Sequence, residues 1–208
     1  MISGLYAITQ ETDDTVHLLR QVDAALRGGA KVVQYRDKSL SVARQHEQAS
    51  ELLLLCRRYG VPLLINDSLR LADLTGADGV HLGRDDGSLR EARLILGQDK
   101  IIGVSCYQSL ALAVAAQEAG ADYVAFGSFY ASDTKPLAVR VDLALLHQAA
   151  RVIHKPIVAI GGITVGNAEP LLMAGADALA VLTGLFASTH IEGTARQFVQ
   201  LFVDETED

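Results

Sequence analysis

The sequence predicts an α/β fold, a single closed (β/α)8 barrel, on two observations. First, a helix-length segment runs into Gly-Ala-Asp or Gly-Ala-Lys and then into an apolar strand at four places, 29–33, 76–80, 120–124 and 175–179. Second, four more apolar strands fit between these copies, at 5–9, 62–66, 101–105 and 156–160. Together they make eight strands that alternate with helices, the pattern of a TIM barrel, which carries its active site where the strands end.

The helices are indicated by apolar residues that recur every three or four positions. Residues 14–28 place one stripe on Val16, Leu19, Val22 and Leu26. Residues 41–59 repeat the pattern with Ala43, Ala49, Leu52, Leu53 and Cys56. A glycine follows the last turn of four helices, where a left-handed residue is favoured: Gly29, Gly76, Gly120 and Gly175. We therefore expect a structural role for these glycines.

The strands are short and apolar throughout, which is typical of parallel strands buried on both faces. Pro62 and Pro156 begin two of them, a position where the missing N–H does no harm. Strands that alternate with helices, without hairpin turns, favour a parallel sheet. A doubly wound open sheet is the alternative, but the eight units and the lack of a Gly-x-Gly-x-x-Gly turn weigh against it.

The bulk composition indicates one domain over residues 1–208, because half of the residues are apolar and no linker divides the chain. The net charge of −7 argues against nucleic acid as a partner, while a small phosphorylated ligand needs only a local positive pocket. The start of the chain has no signal-peptide pattern, and the longest apolar run, 52–56, is too short for a bilayer. We expect a cytoplasmic protein without membrane contact, with Cys56 and Cys106 as free thiols. Whether it forms a homo-oligomer stays open.

Polar residues at the end of the second strand are the first candidates for a site. Side chains alternate along a strand, so Gln34 and Arg36 share one face and Tyr35 takes the other. If the shared face is the barrel interior, an amide and a guanidinium point to the mouth. A buried arginine needs an anion, which could be a ligand or a nearby aspartate.

Carboxylates at the ends of the next two strands suggest a metal. Asp67 follows strand three and Asp86 follows strand four, and Mg2+ is commonly held by one or two carboxylates together with substrate phosphates. Asp85 competes with Asp86 for this role. The alternative is helix capping, because Asp85, Asp86 and Ser88 all precede a helix expected at 89–96.

The remaining strand ends add a polar loop and two short segments that contain glycine. Residues 131–136 form a polar loop with Lys135, which is either a lid residue or a solvated lysine. Gly161-Gly162 and Thr183-Gly184 follow strands seven and eight, where barrels of this class frequently bind phosphate. Of the six histidines, His81 lies within a strand and is expected to be packed and hydrogen-bonded rather than catalytic.

These segments resemble the thiamine-phosphate synthase family over essentially the whole chain. The resemblance rests on the order and spacing of six segments, residues 33–38, 65–67, 76–86, 102–105, 134–136 and 158–164. It implies that hydroxymethylpyrimidine diphosphate and hydroxyethylthiazole phosphate are joined into thiamine phosphate and pyrophosphate. It also implies a dissociative reaction, in which pyrophosphate leaves and the thiazole nitrogen traps a pyrimidine methyl cation.

The resemblance assigns residues to each part of this reaction. Mg2+ is held by Asp67 and Asp86. The pyrimidine diphosphate is bound by Gln34, Tyr35, Arg36, Asp37, Lys38, Asn66, Ser105 and Lys135. The thiazole phosphate is bound by Ser132, Asp133, Thr134, Gly162, Leu182 and Thr183. Catalysis by stabilising the leaving group falls to Arg36, Lys38 and Lys135.

Three alternatives and a few departures accompany this resemblance. A related thiazole tautomerase would use a lid histidine, a sugar-phosphate isomerase or epimerase would need an acid–base pair at opposing strand ends, and a non-catalytic precursor-binding protein would have lost its mouth charges. None of these features is present in the sequence. The departures are Cys106-Tyr107, Ala131-Ser132, Thr183-Gly184 and Tyr35, and they concern the thiazole side and lid more than the diphosphate and metal residues.

Overall fold

The computed structural model describes residues 2–131 and 140–203 of the chain. Eight parallel strands pair in chain order, and β1 pairs with β8 to close a barrel. The strands are β1 Gly4–Ile8, β2 Val32–Tyr35, β3 Leu63–Asn66, β4 Gly79–Leu82, β5 Ile101–Tyr107, β6 Tyr123–Gly127, β7 Ile157–Ile160 and β8 Ala178–Val181. The predicted (β/α)8 fold is confirmed.

Helices surround this barrel. They are α1 Thr15–Arg27, α2 Val42–Tyr59, α3 Leu69–Thr75, α4 Leu89–Leu96, α5 Leu110–Glu118, α6 Leu143–Val152, α7 Glu169–Met173, α8 Thr183–Phe186 and α9 Ile191–Gln200, with a short 3-10 helix at Val165–Asn167. Within the described part of the chain, no helix combines the length and the apolar character that a membrane span requires.

The alternation of side chains along the strands divides the core into two layers. Large side chains such as Tyr6, Leu64 and Tyr123 fill the barrel interior. Their neighbours in sequence, such as Leu5 and Leu63, point outward and pack against the helices. The strands are therefore buried on both faces, as their apolar sequences predict.

The helical stripes differ in part from the prediction. The buried residues of α1 are Leu18, Val22, Ala25 and Leu26. Val16 is 57% exposed, because at 100° per residue it faces about 200° away from Leu18. In α2 the expected Ala43 is exposed for the same reason, while Gln48 is buried.

The repeated Gly-Ala-Asp segments now have a structural explanation. All four predicted glycines have positive φ, between 68° and 101°, after a helix end, which confirms their role. The aspartates bind back to the barrel, because Asp78, Asp122 and Asp177 each accept a backbone N–H from one of the first two residues of the preceding strand, namely Leu63, Ile102 and Ile157. Each of the three Gly-Ala-Asp copies thus ends a helix and fixes two neighbouring strands at the end of the barrel opposite the mouth.

Candidate functional site

The candidate site is a cavity of about 700 Å³ at the ends of the strands. Every strand or the loop after it contributes at least one residue, from Ile8 at the end of β1 to Thr183 after β8. Of the residues predicted from the sequence, the following line it: Gln34, Arg36, Lys38, Asn66, Asp67, Asp86, Ser105, Gly162, Leu182 and Thr183. The fold therefore brings most of the predicted residues together at one mouth.

Two predicted residues turn their side chains elsewhere. The Tyr35 hydroxyl donates to Gln48 Oε1 at 2.9 Å, on the helix side of β2, as the alternation along the strand requires. Asp37 accepts the backbone N–H groups of Ser39 and Leu40 at 2.8 Å and so shapes its own loop. Neither side chain lines the large cavity. Ser132, Asp133, Thr134 and Lys135 lie outside the described residues.

Asp67 and Asp86 lie side by side at the mouth. Lys38 Nζ is 2.7 Å from Asp67 Oδ2, and Gly83 N donates to Asp86 Oδ2 at 2.8 Å. Burial raises the pKa of Asp86, and its contact with the Asp67 carboxyl raises it further. Burial also acts on Asp67, but hydrogen bonds from Lys38, Asp86 and Asn66 together lower its pKa. Two carboxyl groups held this close favour a shared proton or a bound cation.

This donor set fits a magnesium ion. Mg2+ takes oxygen ligands and completes its octahedron with waters and substrate phosphates, so two protein carboxylates are sufficient. Within residues 2–131 and 140–203 no group of three or more His, Cys, Asp or Glu side chains forms a fuller protein ligand set. The capping alternative does not apply to Asp86, because Ser88 is the N-cap of α4 and accepts the Glu91 N–H.

Arg36 has an acidic partner in the loop after β1. Its Nη1 lies 2.6 Å from Glu11 Oε1, and both side chains are partly exposed. The sequence left a ligand and a nearby aspartate as the two possible anions for Arg36. The acid in contact with it is a glutamate from another loop rather than an aspartate, and Arg36 also lines the cavity, where a ligand can reach it.

A row of hydrogen-bonded side chains crosses the barrel below the mouth. Gln34 Nε2 donates to Tyr6 Oη at 2.7 Å, and Tyr6 Oη is 2.8 Å from Tyr123 Oη. Tyr123 Oη is 2.8 Å from His81 Nδ1, whose Nε2 is 2.8 Å from Ser105 Oγ. The prediction that His81 is packed and hydrogen-bonded is confirmed. Tyr6 and Tyr123 were missed, although tyrosines within apolar strands are a signal.

The opposite side of the mouth consists mainly of backbone. Gly161 and Gly162 have φ values of 106° and 65°, and a Cβ on Gly162 would lie 2.3 Å from the Ala131 carbonyl oxygen. The Asn167 side chain donates to the Gly162 carbonyl and accepts the Thr164 N–H, so it fixes this turn. Glycine is therefore required here both by backbone conformation and by space.

A second missed pair supports the loop that carries Asp86. Tyr107 Oη accepts the Arg84 N–H at 3.1 Å, and the Arg84 guanidinium lies 5.0 Å from the Tyr107 ring centroid. Both residues line the cavity. Tyr107 was noted from the sequence only as a departure, and its hydrogen bond to a residue 23 positions earlier had no local signal.

Comparison with known proteins places this arrangement among enzymes of one kind. A family model described as thiamine monophosphate synthase matches residues 5–185. Thiamine-phosphate synthase of Thiobacillus denitrificans is 64% identical over 205 residues, which cover 99% of this chain and 97% of that protein. The relative from Methylobacillus flagellatus, of the same name, is 54% identical and covers 97% and 96%.

Solved structures agree with this result. Thiamine phosphate pyrophosphorylase from Pyrococcus furiosus superposes with a TM-score of 0.87 at 31% identity, over 99% of this chain and 97% of that one. A 3-hexulose-6-phosphate synthase from Salmonella typhimurium has a TM-score of 0.73 at 18% identity, over 98% and 99%, which shows the barrel fold alone.

Proposed function

The chain belongs to the thiamine monophosphate synthase family, and on that premise we propose that it joins 4-amino-2-methyl-5-hydroxymethylpyrimidine diphosphate to 4-methyl-5-(2-hydroxyethyl)thiazole phosphate. The products are thiamine phosphate and pyrophosphate. The chain is an enzyme, and the transfer of a pyrimidinylmethyl group makes it an alkyl transferase.

The observation that carries this proposal is the group of charges beside β2, β3 and β4. Lys38 contacts Asp67, Asp67 contacts Asp86, and Arg36 lines the same side of the cavity. To bind a diphosphate together with Mg2+, a site needs cationic side chains for the phosphate oxygens and carboxylates for the metal, close to each other. We assign Asp67 and Asp86 to the metal, and Gln34, Arg36, Lys38, Asn66 and Ser105 to the pyrimidine diphosphate.

The proposed chemistry is a dissociative substitution. The bond between the pyrimidine methylene carbon and the diphosphate oxygen breaks, and the leaving diphosphate keeps the electron pair. Arg36 and Lys38, with Lys135 from outside the described residues, stabilise the charge that develops on that oxygen. Bound Mg2+ would supply further Lewis-acid stabilisation of the leaving group. The thiazole nitrogen then forms the new bond to the methylene carbon, so no protein nucleophile is required.

The thiazole phosphate is assigned to the backbone side of the mouth. Gly162, Leu182 and Thr183 line the cavity there, at the ends of β7 and β8. Barrels of this class often bind phosphate with these two loops, where backbone N–H groups can approach the anion closely. Ser132, Asp133 and Thr134 complete this proposed subsite. Bound in this way, the thiazole nitrogen is held near the cation before the bond forms.

A coupled product assay tests the function. Purified protein is incubated with both substrates and Mg2+, and thiamine phosphate is oxidised to its fluorescent thiochrome. We expect product that depends on both substrates and disappears when EDTA is in excess over Mg2+. If product still forms in EDTA, the proposed role of Mg2+ is wrong, while the proposed reaction stands. The absence of product with folded protein, at any Mg2+ concentration, would contradict the proposed reaction.

A further inference from the structure

The row of hydrogen bonds from Gln34 to Ser105, which we call the relay, joins opposite sides of the barrel. It runs through Tyr6, Tyr123 and His81, which come from β1, β6 and β4. Tyr6 is 1% exposed, Tyr123 is fully buried and His81 is 8% exposed. A Cβ on Gly103 would lie 1.9 Å from the Tyr123 ring, so β5 leaves space for that ring. The two ends, Gln34 and Ser105, both line the substrate cavity.

The chemistry of the donors sets a direction for the relay. The Gln34 amide nitrogen can only donate, so the Tyr6 oxygen accepts and the Tyr6 proton is available for Tyr123. In this direction the Tyr123 proton goes to its remaining partner, His81 Nδ1, which lies 2.8 Å from Tyr123 Oη. An imidazole that accepts at Nδ1 carries its proton at Nε2, and this proton is donated to Ser105 Oγ. Burial raises the pKa of both tyrosines, which keeps their hydroxyl protons in place.

This direction determines what each end offers to a ligand. With His81 Nε2 as the donor, Ser105 Oγ accepts, and its own hydroxyl proton can be donated into the cavity. Gln34 donates to Tyr6 through Nε2, and its Oε1 takes no hydrogen bond from the described residues, so it can accept. If the relay ran the other way, the two ends would exchange roles, with donors at Gln34 and an acceptor at Ser105.

We propose that Tyr6, Tyr123 and His81 are positioning residues that make the enzyme selective for a 4-aminopyrimidine over a 4-oxopyrimidine. This rests on the proposed function. An aminopyrimidine brings an exocyclic N–H donor for Gln34 Oε1 and an unprotonated ring nitrogen for the Ser105 hydroxyl. In a 4-oxopyrimidine, the exocyclic group is a carbonyl oxygen, which accepts instead of donating, and a ring nitrogen carries a proton. The relay thus couples two distant contacts, because reversing one end requires reversing the other.

The first test determines the tautomer of His81 in the wild-type protein. Protein labelled with 15N at histidine is examined by NMR, which distinguishes a protonated from an unprotonated ring nitrogen. The His81 signals are assigned by their loss in His81→Asn. We expect a neutral ring with its proton at Nε2. A proton at Nδ1, or a doubly protonated ring, would overturn the proposed direction.

The second test measures selectivity in binding. Dissociation constants of the 4-amino and 4-oxo pyrimidine diphosphates are measured by calorimetry without thiazole phosphate. Binding is compared rather than turnover, because the amino group also stabilises the cation electronically. We expect the wild type to favour the amino compound by about 100-fold, and Tyr123→Phe to reduce this preference to less than about tenfold.

The controls separate selectivity from general damage. Tyr59→Phe also removes a tyrosine hydroxyl, which bonds to Asp23 on the outer surface, and should keep the full preference. If Tyr123→Phe does not fold, Tyr6→Phe breaks the relay one step earlier. Equal weakening of both ligands in the variant would indicate a structural role only and overturn the proposal. Failure of the proposed function would instead show as no thiamine phosphate from the wild type.

Discussion

The two halves of the barrel mouth are built from different chemical groups. The half formed by β1 to β5 and their loops presents charged and amide side chains that bind one another, such as Lys38 with Asp67 and Arg36 with Glu11. In the half formed by β6 to β8, the described lining residues carry no charge, and four are glycines: Gly127, Gly161, Gly162 and Gly184. The same fold thus offers side chains on one side and backbone on the other.

Under the proposed function, each half would bind a different phosphorylated substrate. A leaving diphosphate gains negative charge during the reaction, so it needs cations and a metal close by. A phosphate that serves only as an anchor does not change its charge, and backbone N–H groups are sufficient for it. Side-chain substitutions should therefore affect the first half most, and steric changes at glycines should affect the second.

The largest effect is expected from the carboxylate pair. Asp67→Asn removes a proposed metal ligand and the partner of Lys38, so kcat/KM should fall by about 100-fold or more. The Mg2+ concentration for half-maximal activity should rise as well. Both are measured in the thiochrome assay over a range of Mg2+ concentrations.

Asp85→Asn is the matched control for this substitution. Asp85 lines the same cavity but is exposed, next to the proposed ligand Asp86. Its loss should change kcat/KM and the Mg2+ dependence by no more than about threefold, as for exposed charges in general. Equal effects of the two variants would mean that the mouth acts through its net charge rather than through a defined metal site.

A smaller and selective effect is expected on the backbone side. Gly162→Ala adds a Cβ that would meet the Ala131 carbonyl oxygen at 2.3 Å, so the turn must shift. The KM for thiazole phosphate should rise by about tenfold, while the KM for the pyrimidine diphosphate stays within about twofold. Steady-state kinetics with each substrate varied in turn measures both.

Gly60→Ala controls for the backbone strain alone. Gly60 ends α2 with a φ of 66°, close to the 65° of Gly162, and its added Cβ would meet nothing within 4 Å. This variant should lose about 1 kcal/mol of stability and keep both KM values. If Gly162→Ala changed both KM values equally, the two halves would not be independent.

A modest gain is expected where the charged half carries a competing anion. Glu11→Gln removes the acid that pairs with Arg36, so the diphosphate no longer competes for the guanidinium. Because the pair is partly exposed, the KM for the pyrimidine diphosphate should fall by no more than about fivefold. The decrease should shrink in high salt, which screens the pair. A rise in KM would show that Glu11 orients Arg36 for binding.

A thiol reagent is expected to have no effect on activity, although Cys106 lies at the boundary between the two halves. Cys106 lies at the end of β5 but is buried in the outer layer, and burial raises its pKa to about 12. Burial raises the pKa of Cys56 to about 12 as well. At pH 8 only about one thiol in 10,000 would be ionised, so folded protein should resist a thiol reagent such as Ellman's reagent. Rapid labelling with loss of activity would contradict this.

The sequence was enough to place the charged residues at the barrel mouth, but it did not predict which side chains contact each other there. Arg36, Asp67 and Asp86 follow apolar strands, so strand parity and position were enough to place them at one mouth. The Tyr6–Tyr123 contact joins residues 117 positions apart and depends on the closed barrel, which no local pattern encodes. Glu11 was missed as well, because an acid in a loop has many possible partners.

Burial shows the same limit outside the site. Val16 matched the helical period, yet it is exposed because the contact face of α1 is centred on Leu18 and Val22. Periodicity finds a stripe but not the rotation of the helix against the barrel. The alternation of side chains along β2 predicts that Tyr35 faces away from Gln34 and Arg36, and its hydroxyl does contact Gln48 on the helix side. The family resemblance had instead counted Tyr35 among the binding residues.

The alternation of side chains along the strands also determines where the chain can tolerate insertions and deletions. Deleting one residue within β2 ahead of Gln34 would turn Gln34 and Arg36 toward the helices and Tyr35 toward the cavity, since successive side chains take opposite faces. The mouth would lose its amide and guanidinium in one step, and the same holds for the other strands. Insertions and deletions in viable variants should therefore be confined to the loops and helices, and a scan of single-codon deletions would display the eight strands as eight intolerant intervals.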